Sequence, residues 1–391
     1  MMSLRTNQRL VSLDVFRGLA IICMILVNGL PNFEQAYPLL LHSSWEGLTL
    51  ADLAFPGFVF AMGAAGALWF PRHLRDHAAK KFYLVFKRSL LLCLLGLVLN
   101  QLPLIFQYLL TPDALTGTLG QQIIEHGRVM GVLQRLGLVY FFGMMFCWWL
   151  ESERMIASMS VALLIVYSLC FHLYAVDAYA VDASFSPDMN ISMLIDGIFP
   201  GPAHCYLGKD FDPEGLYGTI AATASMMFGY LAGCRLSTVN APTFERVAGV
   251  FAYGVVLLAA GGLWSYVDII SKPLWTAPYV LITSAIFMFL LGLLQIGFSL
   301  LPEFMETLFS PSHAFGMNAL FMFIIPDRVL VFLWTIPYPS LEQPFYPWIW
   351  ERTLKGVVDM PFSILLFAVL WLLCWLPVVR FLNKHHIFIK V

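Results

Sequence analysis

The chain has 391 residues, 60% of them hydrophobic and only 12% charged, with a formal net charge of −2 and a mean hydropathy of +0.78. That balance excludes a soluble globular domain, a disordered chain and a basic nucleic-acid binder, and it describes a polytopic membrane protein. Of the seven cysteines, six lie inside apolar runs and Cys205 alone falls in a connecting loop, so no disulfide framework is expected.

Apolar runs long enough to cross a hydrocarbon core of about 30 Å fall at 11–30, 51–70, 83–102, 129–150, 155–175, 216–234, 247–265, 275–298, 314–335 and 361–382. They predict an all-α bundle of about ten transmembrane helices in a single domain, 1–391, with no internal repeat or linker. If the amino terminus is cytoplasmic, alternation puts fourteen Lys and Arg on that side, among them Arg5, Arg9, Arg72, Arg75, Arg88 and Lys390. The opposite side then holds Lys209, Lys272, Arg352 and Lys355, and Arg17, Arg128, Arg135 and Arg328 fall within spans. The positive-inside rule therefore places both termini in the cytoplasm and loops 31–48, 103–127, 176–213, 265–274 and 337–359 outside. The connection carrying Glu303 and Glu306 has no cation, and its side follows from alternation alone.

The first run opens with Leu13-Asp14-Val15-Phe16-Arg17-Gly18 and lacks a small-residue cleavage site, so it reads as a retained helix. Asp14 and Arg17 are spaced i, i+3; they either neutralise each other or offer a charge to a ligand. Asn28 lies near the far end of this run. Next comes the most informative stretch, His42-Ser-Ser-Trp45-Glu-Gly47-Leu-Thr49-Leu-Ala-Asp52, a polar, titratable segment between two spans. Histidine exchanges protons near neutral pH, which puts acid–base chemistry at a membrane surface. Asp52 either fixes an imidazole tautomer or caps the second helix, a role open to Thr49 also. His73 and His77 have i, i+4 spacing, but the surrounding Arg72, Arg75, Lys80 and Lys81 repel cations; no metal site is expected.

Further along, Arg128 and Arg135 are seven residues apart, which on one helix makes a charged stripe with about 10 Å of rise. The loop 176–213 contains Pro187, Pro200, Pro202 and Pro213 and could fold over an outward opening. Its end, Asp210, Asp212 and Glu214, either attracts a cationic acceptor or is a solvated rim. Tyr179, Tyr338 and their aromatic neighbours match interfacial belts. Asn318 reads most simply as an interhelical hydrogen-bonding residue.

Residues 10–63, from LVSLDVFRGLAIICMILVNG to HSSWEGLTLADLAFPGFVFAMG, resemble the signature of the transmembrane heparan-α-glucosaminide N-acetyltransferase family and its bacterial glucosamine N-acetyltransferase relatives. Arg128-Val-Met-Gly-Val-Leu-Gln134-Arg135, Asp212-Pro-Glu214-Gly-Leu, Leu274-Trp275-Thr276 and Phe315-Gly-Met-Asn318 extend the resemblance in order along the chain. It implies a transmembrane acyltransferase that takes acetyl groups from cytosolic acetyl-CoA to the amine of a terminal glucosamine on the far side, with His42 as the catalytic residue. It also implies a bacterial inner-membrane location, a homodimer and no metal cofactor. Amide formation from a thioester needs a base and donors facing the developing oxyanion. His42 is the candidate base or acetyl carrier, with Asp52 orienting it and Asn28 donating to the oxyanion. Candidate CoA contacts are Arg17, Arg88, Arg135, Gln134 and Asn318; candidate acceptor contacts are Trp45, Asp212 and Glu214. The alternative is an amino-sugar transporter that makes no bond, although the inverted repeats usual in such proteins are not visible.

Overall fold

The computed structural model describes residues 10–69, 78–111, 116–150, 152–177, 184–237, 243–337 and 344–389. Arg5, Arg9, Arg72, Arg75, Lys390, His73, His77, Tyr179 and Tyr338 lie outside them, as do parts of loops 176–213 and 337–359. All ten expected runs are helical. In chain order the helices are α1 (Val11–Asn28), α2 (Ala54–Trp69), α3 (Ala78–Leu110), the short α4 (Leu119–His126), α5 (Val132–Trp149), α6 (Glu153–Asp177) and the short α7 (Ile191–Ile198). There follow α8 (Thr219–Leu236), α9 (Thr243–Trp264), α10 (Ala277–Leu300), the short α11 (Pro302–Leu308), α12 (Ser310–Met317), α13 (Ala319–Thr335), the short α14 (Phe345–Thr353) and α15 (Met360–Lys384).

Among the described residues, eight helices are long and apolar enough to cross a bilayer, and α12 with α13, bent by 89° at Asn318, makes a ninth. The tenth expected span, α8, is long enough but less apolar, and the reason is its position. Every residue of it except Ile220 and Arg235 is buried, and it is packed by α2, α5, α6, α9 and α10. A helix enclosed by others needs no lipid-facing apolar surface, so Ala, Gly, Ser and Thr replace Leu and Ile. The closest approach is to α2: a Cβ on Gly63 would stand 1.9 Å from the Met226 carbonyl oxygen, and one on Gly229 2.0 Å from that of Phe60. Two other expectations are corrected. Helix α3 runs through Pro103 and ends at Leu110, shortening the expected 103–127 loop, because a long membrane helix tolerates one missing N–H. The expected straight span 314–335 is a bent pair.

Alternate connections meet on common sides. On the side that carries His42, the Gly47 N–H donates to the Ile270 carbonyl at 2.7 Å, that of Val129 to the His204 carbonyl at 3.1 Å, and the Tyr346 hydroxyl to the Gly29 carbonyl at 2.7 Å. On the opposite side Arg17 reaches the Gly316 carbonyl at 2.9 Å, Ser12 reaches Gln295 at 2.6 Å, and Arg235 pairs with Glu153 at 2.8 Å. The chain therefore crosses the bundle in the alternating order that the apolar runs require.

Candidate active site

A short 3-10 turn, Ala51–Leu53, leads into α2 and carries Asp52, which is fully buried. Its Oδ2 accepts the backbone N–H of Ser43 at 3.2 Å and of Thr49 at 3.1 Å. Its Oδ1 lies 2.8 Å from Nδ1 of His42. The two sequence readings of Asp52 thus coincide: the carboxylate closes the turn and holds the imidazole. An anionic Asp52 favours the tautomer with hydrogen on Nδ1, leaving the Nε2 lone pair on a ring that is 49% exposed.

A third residue joins them that the sequence reading used only as a charge count. Lys272 Nζ stands 2.9 Å from Nδ1 and 3.3 Å from Nε2 of His42, and 3.5 Å from Asp52 Oδ1. A tight turn aims it there. Trp275 adopts a left-handed conformation with φ of 57°, a strain of order 1–3 kcal/mol for a side-chain-bearing residue. Its N–H closes onto the Lys272 carbonyl at 3.0 Å. Burial of the indole against Phe55, at 5.0 Å between ring centroids, and Tyr279, at 5.4 Å, holds that conformation. Farther back, Asp268 accepts the Ser168 hydroxyl at 2.6 Å and faces His172 Nε2 at 2.8 Å, tying the loop to α6. Burial pulls the Lys272 ammonium below its ordinary pKa, against the opposing charges of Asp52 and Glu214. The signal for Lys272 was its place two residues before the Leu274-Trp275-Thr276 motif.

His42 and Lys272, with Asp52 behind them, stand at one end of a cavity of about 220 Å³ lined by residues of α1, α2, α3, α5 and α13 and of the adjoining loops. The lining turns from apolar to polar along α1, α3 and α13, whereas α2 and α5 contribute only apolar residues. It runs from Met24 to Asn28 on α1, from Gly96 to Asn100 on α3, and from Phe323 and Ile324 to Asp327 and Arg328 on α13. The loops add His42, Arg128, Glu214 and Lys272, and the starts of α2 and α5 add the apolar Phe55, Phe58, Val132 and Leu133. Asn28 Nδ2 donates to Asp327 at 3.2 Å, and Arg328 pairs with Asp327 and donates to the Leu99 carbonyl at 3.0 Å. Asn100 donates to the Met130 carbonyl at 3.0 Å. Asp327 and Asn100 were missed because a single polar residue in an apolar run carries no spacing signal; Arg328 was noticed only as a charge within a span.

The other expected site residues are dispersed. Arg128 and Arg135 do not form one helical stripe: α5 begins at Val132, after extended Gly131, so Arg128 belongs to the loop. It grips Asp212 through two bonds of 2.9 and 2.6 Å and Glu214 through one of 2.6 Å. Asp212 is buried behind it, whereas Glu214 reaches the cavity. Arg135 is fully buried, donating to the Gly215 carbonyl at 2.8 Å under the Trp275 ring, and Gln134 donates to the Val129 carbonyl at 2.8 Å. Trp45 donates to the Phe185 carbonyl at 2.7 Å and fastens that loop. Arg17 pairs with Asp14 at 2.6 Å, the neutralising alternative. Arg88 is exposed over the Tyr140 ring. Asn318 donates to Asn383 at 2.8 Å, an interhelical bond. None of these last six lines the cavity.

No family model matches the chain. A stretch of 136 residues, 34% of the chain, is 39% identical to heparan-alpha-glucosaminide N-acetyltransferase of Homo sapiens and 38% identical to the protein of that name in Mus musculus. The match spans 18% of the length of each of those curated relatives. Over that stretch the chain is similar to the heparan-alpha-glucosaminide N-acetyltransferases, the family its motifs resemble.

Proposed function

We propose that the protein is a membrane-embedded acyltransferase that moves an acetyl group from cytosolic acetyl-CoA to the amine of glucosamine, or of a glucosamine-terminated glycan, on the His42 side of a bacterial inner membrane, as a homodimer. The single observation that carries this reading is that His42 and Lys272, with Asp52 buried behind them, line a cavity that becomes more polar toward their side along α1, α3 and α13. The apolar end suits a pantetheine arm, the polar end suits a hydroxyl-bearing acceptor, and the titratable group stands on the acceptor's side. Arg17 and Arg88 lie toward the opposite face, where the phosphates of a CoA reaching in from that side would be met by forked guanidinium donors.

Acetyl-CoA supplies the acetyl group as a thioester, whose C–S bond breaks as the new C–N bond forms. The chain's part is proton handling and orientation. His42 Nε2 accepts the proton that leaves the acceptor nitrogen, Asp52 stabilises the resulting imidazolium through Nδ1–H, and Asn28 offers an amide N–H to the oxyanion. His42 then returns that proton to the departing thiolate sulfur, which restores the starting state. The test is acetyl transfer from radiolabelled acetyl-CoA to glucosamine by purified protein. Transfer by wild type and none by His42→Ala supports the enzyme; glucosamine uptake into proteoliposomes without any acetylated product replaces it with the transporter.

A further inference from the structure

Asp327 and Arg328 sit midway along α13 (Ala319–Thr335), where an ionised side chain facing lipid costs on the order of 3 kcal/mol. Both instead line the cavity, each about one-quarter exposed. Four carboxylates surround this region, and they differ in what they offer to a bound molecule. Asp52 and Asp212 are fully enclosed, and Glu214 is held against Arg128 at 2.6 Å. Asp327 is the most open of the four. Its Oδ2 is engaged by Arg328. Its Oδ1 accepts an amide hydrogen from Asn28 at a long 3.2 Å, and a carboxylate oxygen has lone-pair capacity for a second donor.

Arg328 also donates to the Leu99 carbonyl at 3.0 Å, which together with the pairing to Oδ2 leaves Oδ1 as the carboxylate oxygen available to a bound molecule. Arg128, Lys272 and Arg328 supply donors to this cavity, so the accessible Oδ1 of Asp327 stands out as an acceptor, and a carboxylate oxygen makes a stronger, charge-assisted bond to an ammonium N–H than to a hydroxyl.

We propose that Asp327 is the residue that selects an amine acceptor, accepting a hydrogen bond from an N–H of its ammonium. One proton then leaves to solvent to give the neutral amine, and the proton that leaves nitrogen as the C–N bond forms is the one taken by His42. The inference rests on the acetyl-transfer reading, which makes the acceptor an amine, and it assigns to α13 the discrimination between an amino sugar and the parent sugar.

The experiment uses full-length protein and two probes, glucosamine and glucose, read first by the shift of the thermal midpoint and then by steady-state kinetics. Wild type is expected to be stabilised by glucosamine and not by glucose at the same concentration. Asp327→Asn is expected to lose that difference, and its KM for glucosamine to rise at least tenfold while its KM for acetyl-CoA stays within twofold. Asp327→Glu, which keeps the charge, should retain the preference for glucosamine. Equal stabilisation of wild type by the two sugars overturns the proposal without any variant, so misfolding of Asp327→Asn does not shelter it. An equal rise in both KM values, or an unchanged KM for glucosamine, also overturns it. Failure of acetyl transfer with the binding preference intact would remove the enzymatic reading and leave the Asp327 site standing.

Discussion

Lys272 Nζ stands 2.9 Å from Nδ1 of His42, a contact that joins residues 230 positions apart. It brings a partly desolvated ammonium to a histidine–carboxylate pair, and it fixes the connection before α2 and the connection before α10 to each other at one end of the cavity. The site is therefore a property of the folded bundle and not of the His42 segment alone, which has consequences for what each substitution does.

Removing the imidazole should abolish the proposed transfer. His42→Ala is expected to lower kcat by about 10²- to 10⁴-fold, the range of a general base. Asp52→Asn should lower it too, and it should also destabilise the protein. The amide can no longer accept the Ser43 and Thr49 N–H groups and His42 together, and each buried donor left unsatisfied costs about 1–3 kcal/mol. Paired measurements of kcat and thermal midpoint separate the two: activity alone should fall in His42→Ala, both should fall in Asp52→Asn.

Lys272→Met should trade activity for stability. The folded-state pKa of Lys272 is depressed, with burial the leading cause. The unfolded chain then binds more protons between the two pKa values, so wild-type stability rises with pH through that window and is lowest below it. Methionine removes the buried charge, so the variant should be at least as stable as wild type at neutral pH, with the gap closing as pH rises toward about 10. Thermal midpoints across that range test this; a variant less stable than wild type at pH 7 would mean that the pairing with Asp52 outweighs desolvation.

Much of the bundle was legible in the sequence because lipid imposes a single length and a single polarity on each crossing. The His42 segment was legible because its Trp45, Gly47, Thr49 and Asp52 follow the histidine at the spacing of the signature it resembles. What was hidden has two physical causes. The bend at Asn318 and the enclosure of α8 depend on neighbours distant in sequence, and apolar composition does not report them. The cavity's polar roof is assembled one residue per helix, from Asn28, Asn100 and Asp327, so no local pattern marks it. Arg128 was misplaced onto a helix for the same reason: its partners Asp212 and Glu214 lie more than eighty positions away, and they draw it into the loop.

Asp196 offers a second pH test on the His42 side. Burial, joined by the charge of Asp212, raises its pKa to about 6. The folded state then binds the extra proton, so the stability it contributes is greatest at low pH and is lost as pH rises from about 4 through about 6. Asp196→Asn mimics the protonated form and should flatten this dependence. It should match wild type near pH 4 and exceed it above pH 6.5 by on the order of 2 kcal/mol. Parallel denaturation curves for the two proteins over that range would rule the account out.

The contact of α2 with α8 yields the last prediction. A Cβ on Gly229 would stand 2.0 Å from the Phe60 carbonyl oxygen and 2.9 Å from its Cα. Both are backbone atoms, which cannot swing aside as a side-chain tip would. Gly229→Ala must therefore push α2 and α8 apart, and overpacking of this kind costs about 1–3 kcal/mol or more. Because α2 begins at the turn that carries Asp52, the displacement should also weaken the His42 pair, lowering activity along with the thermal midpoint. Gly262→Ala on α9 is the matched control: nothing lies within 4 Å of its Cβ, and alanine is the better helix former by up to about 1 kcal/mol, so it should be neutral or stabilising with activity unchanged. If both substitutions lowered the midpoint alike, backbone propensity and not the contact between helices would be responsible, and the close approach of α2 to α8 would no longer account for the position of Asp52.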